Sequence, residues 1–191
     1  MLVSILATIS GCAVEKRVTP VQKESITVPA QISPYNRKDR PHWIDADRDC
    51  QNTRQEMLIA TSRVPVKFKD ARHCTVVSGE WFGVYTGKTF TKASDVDIDH
   101  IVPLAHAHRH GADKWTRDQR RTFANDFENL LVVDDSANQS KSDQAPQEWL
   151  PPRKDYWCGY GKRWQRIKEK YRLWYSDLER KTLESLAETC R

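Results

Sequence analysis

The sequence has no pair of cysteines at the Cys-x-x-Cys spacing that zinc ribbons and fingers use, which argues against a zinc-braced scaffold. It opens with no apolar run of membrane-spanning length, because residues 2–9 are far fewer than the roughly 20 that a spanning helix needs. It also lacks a large excess of one charge, since 31 lysines and arginines stand against 26 acidic residues and give a net charge of +5. That balance is compatible with a polyanionic partner but does not by itself indicate one.

What the sequence does contain is enough for one folded domain and a tail. Seven tryptophans, six tyrosines and five phenylalanines lie among its 191 residues, and 38% of the chain is hydrophobic, which excludes wholesale disorder. Residues 13–40 carry three prolines among polar side chains and show little periodicity. We therefore predict a flexible tether over residues 13–41 and a folded domain over residues 42–191.

The first twelve residues have the pattern of a targeting signal. The short apolar run of residues 2–9 leads into Ile9-Ser10-Gly11-Cys12, which resembles the lipobox at which bacterial lipoproteins are cleaved and acylated on cysteine. No lysine or arginine precedes the run, which departs from that pattern, and a plain secretory signal is the alternative. Both interpretations predict export from a bacterial cell, either as a lipoprotein held at the membrane by a lipid on Cys12 or as a secreted or periplasmic protein.

Four further cysteines predict two disulfide bonds. Their even number suits a protein that folds in an oxidising compartment. Three pairings are possible, and we favour Cys50–Cys74 and Cys158–Cys190 because each of these closes a local loop. Each bond would stabilise the fold by about 2–4 kcal/mol.

Residues 95–104, DVDIDHIVPL, carry the strongest chemical pattern in the chain. Acidic and apolar residues alternate there as in a strand, so Val96 and Ile98 can face a core while Asp97 and Asp99 share the opposite face. His100 follows directly. Two carboxylates and a histidine beside such apolar partners resemble a metal site more than a solvated edge.

The surrounding segments predict a mixture of strands and helices. Before the acidic strand we expect a helix over residues 47–62 and a small antiparallel meander over residues 64–69, 74–78 and 80–85. After it we expect a second strand over residues 129–134, a helix capped by Asp135 or Ser136, and two last helices over about 156–173 and 176–190. Two capping boxes support helix starts, at Thr116 with Gln119 and at Ser176 with Glu179.

The order of these elements, together with two motifs, resembles the HNH endonucleases, also called the His-Me finger or ββα-metal class. Residues 97–103, DIDHIVP, look like the D-x-D-H-I-V-P signature of that class. Asn129-Leu130-Leu131 followed by residues 138–141, NQSK, resembles the N-L…N-x-x-K with which its motifs end. The cysteine pairs of the zinc-braced HNH members are missing here.

Within this class the sequence is most similar to the C-terminal domain of GmrSD restriction endonucleases and to small exported HNH proteins that share it. Further similar blocks lie at residues 77–79, 85–87, 123–126 and 148–151, so the resemblance covers nearly the whole domain. It implies an α+β fold with a ββα-metal (HNH) core over residues 95–145, a small antiparallel sheet, flanking helices and disulfides. It also implies hydrolysis of phosphodiester bonds, with DNA as the expected nucleic acid and with 5′-phosphate and 3′-hydroxyl products.

Phosphodiester hydrolysis gives each motif residue an expected role. A neutral His100 can take the proton of the attacking water, because the reference pKa of histidine is about 6.5. Asp99 and Asn138 offer the oxygen ligands that Mg²⁺ prefers, with Mn²⁺ as the alternative ion. Asp97 is an alternate or supporting ligand, or else a surface carboxylate.

Two further motif residues have weaker signals. Asn129 is expected to support the loop that orients His100, with an ordinary turn asparagine as the alternative. Lys141 lies one turn after Asn138 and is expected to contact a phosphate, or else to be solvated. His106 and His110 share a helix face as zinc ligands can, but the resembling proteins need no histidine there, so we assign them no metal.

The sequence favours an exported, metal-dependent HNH endonuclease over two alternatives. One alternative is a catalytically silent nucleic-acid-binding or envelope surface module of the same fold. The other is a structural disulfide scaffold, which would leave the acidic strand unexplained. No protein partner follows from the sequence.

Overall fold

A computed structural model of the protein describes residues 32–190. These residues hold five β-strands in two small antiparallel sheets together with six α-helices, so the predicted α+β class is confirmed. The predicted signal peptide, Cys12 and most of the predicted tether lie outside the described residues. Within residues 32–190, every helix is too short or too polar to cross a bilayer.

The first sheet has the strand order β1 (Lys67–Phe68), β2 (Val76–Gly83), β3 (Lys88–Lys92). We predicted two strands separated at Gly79, but β2 runs through this glycine, and its pairing with β3 shifts between Ser78 and Trp81. Strand β3 was not predicted. Its residues, KTFTK, form an edge strand that is mostly exposed, so they lack the apolar alternation that identifies a half-buried strand.

The second sheet pairs β4 (Val96–His100) with β5 (Leu130–Asp134). Ile98 lies opposite Val132, and His100 lies opposite Leu130. Helix α4 (Asp135–Lys141) follows β5 directly and is capped by the carboxylate of Asp134, one residue before the predicted cap. The strand–strand–helix unit that results is compatible with the ββα core that the resemblance implies.

The other helices are α1 (Thr53–Thr61), α2 (Leu104–Arg109), α3 (Arg117–Ala124), α5 (Trp157–Lys170) and α6 (Asp177–Glu188). Both predicted capping boxes are present, at the starts of α3 and α6. Helix α1 begins later than predicted because the Asp45 carboxylate accepts hydrogen bonds from the backbone of Arg48 and Cys50, which holds the preceding residues in a turn. Asn52 then caps the helix.

Two apolar clusters hold these elements together. Met57 and Leu58 of α1 pack with Trp81 of β2 and with the apolar faces of β4 and β5 in one cluster. The other cluster surrounds Trp164 and joins α2, α3, α5 and α6 to the turn after β4. The acidic strand therefore lies between both clusters, which fixes the backbone that carries Asp99 and His100.

Both predicted disulfide pairings are confirmed. Cys50 is bonded to Cys74 and Cys158 is bonded to Cys190. The first joins the turn before α1 to the segment before β2, and the second joins the start of α5 to the residues after α6.

The compact unit that contains the domain begins at Ile32, ahead of the residue 42 that we predicted. Residues 37–39 form a single 3-10 turn capped by Asn36. The side chain of Arg40 is buried, with 3% of its surface exposed. The last part of the predicted tether is thus packed on the domain.

Candidate active site

One cleft collects three of the side chains that the sequence pointed to. It has a volume of about 350 Å³, and Asp99, His100 and Asn138 all line it. Asp99 and His100 come from the end of β4, and Asn138 comes from α4. Tyr35 and Arg37, which we had placed in the tether, also line this cleft.

The carboxylate of Asp99 is buried and is held from two sides. The Tyr85 hydroxyl donates to Oδ2 at 2.6 Å, and the Lys141 ammonium donates to Oδ1 at 2.9 Å. Burial raises the pKa of the Asp99 carboxyl, while the charge of Lys141 and the hydrogen bond from Tyr85 oppose that rise. Asp99 is therefore oriented by two donors, and each of its oxygens keeps a second lone pair.

Lys141 does not have the environment that we predicted for it. Its side chain is fully buried, and its ammonium binds the carbonyl oxygen of His100 at 3.0 Å as well as the Asp99 carboxylate. A buried, paired ammonium is not available to a phosphate in the cleft. The structure instead gives Lys141 the task of neutralising Asp99.

His100 is held in one tautomer by the backbone. Its Nε2 lies 2.8 Å from the carbonyl oxygen of Ala124, and a carbonyl only accepts, so Nε2 carries the hydrogen. In the neutral ring, Nδ1 is then the basic nitrogen. Burial lowers the pKa of His100 to about 3, so the ring is neutral at pH 7. Trp43 stacks on the ring, with their centroids 5.5 Å apart.

Asn129 lies behind the site. It is fully buried, and its Oδ1 accepts from the Val102 amide at 2.9 Å while its Nδ2 donates to the Val102 carbonyl at 3.2 Å. Its own carbonyl accepts from the amide of Ile101 at 2.9 Å. These bonds fix the turn that follows His100, and Asn129 does not line the cleft.

Asp97 orients Asn138. The Asn138 Nδ2 donates to the Asp97 carboxylate at 3.1 Å, which directs the amide oxygen of Asn138 away from that carboxylate. Asp97 is half-buried and does not line the cleft. Burial raises its pKa, and the bond from Asn138 opposes the rise. Among the predictions for Asp97, which were an alternate ligand, a supporting group and a surface carboxylate, the geometry favours support of Asn138 over direct metal ligation.

The oxygen donors in the cleft fit a hard divalent cation. Asp99 offers a carboxylate and Asn138 offers an amide oxygen, which are the ligand types that Mg²⁺ and Mn²⁺ take. The bonds that Asp99 accepts from Tyr85 and Lys141, and the bond that Asn138 donates to Asp97, hold both groups without using up their acceptor capacity. Tyr85, which lies in the turn between β2 and β3, was not predicted as a site residue, because an aromatic residue in a sequence gives no sign of where its hydroxyl points.

A second cluster has the composition of a metal site but already contains a cation. Ligand atoms of His106, His110 and Glu179 lie within 4.8 Å of one another. The Lys168 ammonium, however, binds both Glu179 oxygens at 2.7 and 2.8 Å and lies 3.3 Å from His106 Nε2. The indole of Trp164 also donates to Glu179, at 2.6 Å. This cluster is a buried ionic network between α2, α5 and α6.

Comparison with known proteins gives a family and one relative. Residues 63–184 match the family model described as GmrSD restriction endonucleases, C-terminal domain. A protein of Arthroderma benhamiae described as "Uncharacterized secreted protein" is 44% identical over 158 residues, which cover 82% of this chain and 76% of the relative. No solved structure matches. The relative is fungal, so it does not support the predicted bacterial origin or lipid attachment at Cys12.

Proposed function

This chain belongs to the family of GmrSD restriction endonuclease C-terminal domains, and on that premise we propose that it is a metal-dependent HNH endonuclease that hydrolyses phosphodiester bonds of DNA. One observation carries the proposal: Asp99, His100 and Asn138 line a single cleft, and the hydrogen bond from His100 Nε2 to Ala124 leaves Nδ1 as the free basic nitrogen.

His100 would act as the general base. Its Nε2–H is fixed on a backbone carbonyl, so the proton of an attacking water can go only to Nδ1. The carbonyl also stabilises the charged ring that forms, because it keeps a partner for Nε2–H throughout. Burial keeps the ring neutral beforehand, so His100 enters the reaction in the form that accepts a proton.

Asp99 and Asn138 would hold the divalent cation, Mg²⁺ or Mn²⁺. When bound, such an ion supplies charge neutralisation for the phosphate and for the departing 3′-oxygen. The chain's own part is to present the two ligands in fixed orientations, through Tyr85 and Lys141 on Asp99 and through Asp97 on Asn138. The products would be a 5′-phosphate and a 3′-hydroxyl.

We also propose that the protein is exported. Its two disulfides are of the kind that forms in oxidising compartments, and the fungal relative is described as secreted. Lipid attachment at Cys12 remains a prediction from the sequence. Labelling with a fatty-acid analogue should mark the wild type and spare Cys12→Ser if that prediction is right.

Plasmid nicking tests the activity. We expect supercoiled DNA to be relaxed and linearised in Mg²⁺, and we expect EDTA to stop this. His100→Ala and Asn138→Ala should each reduce the rate by at least about 100-fold, because each removes a group from the reacting centre.

Two matched controls separate this effect from misfolding. His73→Asn changes an exposed histidine whose φ of 59° asparagine tolerates, and Gln139→Ala changes the exposed neighbour of Asn138 on α4. Both should cleave like the wild type. Cleavage that persists in EDTA or in His100→Ala would show that this mechanism is wrong, and DNA binding without any cleavage would favour a silent binding module.

A further inference from the structure

The segment of residues 32–42, which we call the strap, is fixed to the domain through His108 of α2. The Arg40 guanidinium lies 2.7 Å from His108 Nδ1, and His108 Nε2 lies 2.6 Å from the carbonyl oxygen of Ser33. A guanidinium only donates and a carbonyl only accepts, so one neutral tautomer of His108 satisfies both bonds. Arg40 also lies over the ring of Tyr35, at 4.7 Å from its centroid.

The other end of the strap is tied to the helix end that positions His100. The Asn125 side chain donates to the carbonyl of Pro41 at 2.7 Å and accepts from the amide of Ile44 at 3.3 Å. Asn125 caps α3 directly after Ala124, whose carbonyl holds His100. These bonds therefore fix the position of the strap relative to the candidate active site.

This anchoring places Arg37 at the cleft. Arg37 is in the 3-10 turn of the strap and lines the cleft together with Asp99, His100 and Asn138. It supplies the only ammonium or guanidinium group among the described residues that line the cleft. Its side chain is exposed, whereas Lys141 is fully buried.

The cleft's acidic groups do not require Arg37 as a partner. Asp99 is paired with Lys141 at 2.9 Å, and Asp143 is paired with Arg109 at 2.7 Å. A phosphodiester entering the cleft is an anion that needs a cationic donor, and an arginine fork suits phosphate oxygens. Beside the proposed metal ion, the geometry therefore leaves Arg37 as the side chain at the cleft that can meet the substrate's charge.

We propose that Arg37 binds a backbone phosphate of the nucleic-acid substrate, and that Arg40 and His108 hold the strap so that Arg37 faces the cleft. This proposal rests on the proposed function. The strap lies outside residues 63–184, which the family model matches, so the family match alone does not account for this contact.

Binding of a fluorescein-labelled DNA duplex to the full chain, measured by anisotropy in EDTA over a series of salt concentrations, tests Arg37 without cleavage. Arg37→Ala should raise the Kd roughly tenfold and reduce the slope of log K against log salt by about one, because one phosphate contact is lost. Arg37→Lys should keep the slope, since it keeps the charge. Lys38→Ala, which changes the exposed neighbour that does not line the cleft, should alter the Kd less than about twofold.

Cleavage kinetics distinguish this proposal from the proposed function. If the wild type cleaves DNA, Arg37→Ala should raise KM roughly tenfold with kcat within about twofold. Unchanged KM, Kd and salt slope in Arg37→Ala, beside an active wild type, would overturn the role of Arg37 and leave the nuclease proposal intact. A wild type that binds through Arg37 but never cleaves would support the site and overturn the nuclease proposal.

The role of His108 in holding the strap has its own test. His108→Ala should raise the Kd as much as Arg37→Ala does. The double variant with both substitutions should have the same Kd as either single variant, because both substitutions remove the same contact. Trypsin should also cut His108→Ala faster after Arg37 and Lys38, while circular dichroism shows a folded domain. Additive losses in the double variant, or strap cleavage at the wild-type rate, would show that His108 does not hold Arg37 in place.

Discussion

At the scale of single residues, Lys141 shows that one face of a helix can both line the cleft and neutralise a buried carboxylate. Asn138 and Lys141 are three residues apart on α4, so both point toward β4. The face that brings the Asn138 amide to the cleft therefore brings the Lys141 ammonium to Asp99. Spacing alone predicted that these side chains share a face. It did not reveal that one would be buried, because burial of Lys141 depends on how closely α4 packs on β4.

Replacing Lys141 should destabilise the protein and also harm the site. Lys141→Met leaves the buried carboxylate of Asp99 without its cation, which we expect to reduce the free energy of unfolding by about 3–5 kcal/mol. Cleavage should fall as well, since Asp99 loses one of its two orienting donors. Urea denaturation and plasmid nicking measure the two effects. Lys162→Met, an exposed lysine on α5, is the control and should change stability by less than about 0.5 kcal/mol.

At the scale of elements, the sequence specified the ββα unit well and the strap poorly. Strand β4 was predictable because its apolar residues alternate with Asp97 and Asp99, and both ends of the unit carry motif residues. The strap has no such pattern. It is ordered by long-range hydrogen bonds, between Arg40 and His108 and from Asn125 to the carbonyl of Pro41. The sequence of a short polar segment with a proline does not show whether such bonds exist.

The network that joins α2, α5 and α6 predicts acid sensitivity. Burial would raise the pKa of Glu179, but His106 at 3.6 Å and the hydrogen bonds from Lys168 and Trp164 outweigh burial and lower the pKa to about 2. Burial, with the neighbouring His106, lowers the pKa of His110 to about 4. The unfolded chain therefore binds more protons than the folded chain in acid, so stability should fall with decreasing pH.

Two pH windows follow from these values. His110 should contribute a loss of stability between about pH 6.5 and 4, and Glu179 between about pH 4.5 and 2. Thermal melting across this range measures both. Glu179→Gln keeps the capping-box acceptor of α6 but cannot ionise, so it should be less stable near pH 7 and should lose the lower window. Parallel curves for the wild type and Glu179→Gln below pH 4.5 would contradict this assignment.

At the scale of the whole molecule, the apolar clusters and the disulfides stabilise different parts of the domain. The apolar clusters hold the acidic strand from both sides, while the disulfides brace segments that lie away from the cleft. Their pairing was predictable because each bond closes a short local loop. The position of the cleft was not, because it depends on the strap, β4 and α4 meeting from distant parts of the sequence.

The disulfides should therefore govern stability more than chemistry. The loops that they close span 24 and 32 residues, for which the chain-entropy model gives about 3.5 kcal/mol each. Cys158→Ser/Cys190→Ser should lower the free energy of unfolding by about 3.5 kcal/mol. The melting temperature should fall with it. At temperatures where this variant is still folded, its nicking rate should equal that of the wild type, because neither cysteine lines the cleft. A folded variant that loses nicking activity would show that this bond positions the site. Dithiothreitol should destabilise the wild type at least as much, since it reduces both bonds, and should leave the double variant sensitive only through Cys50–Cys74.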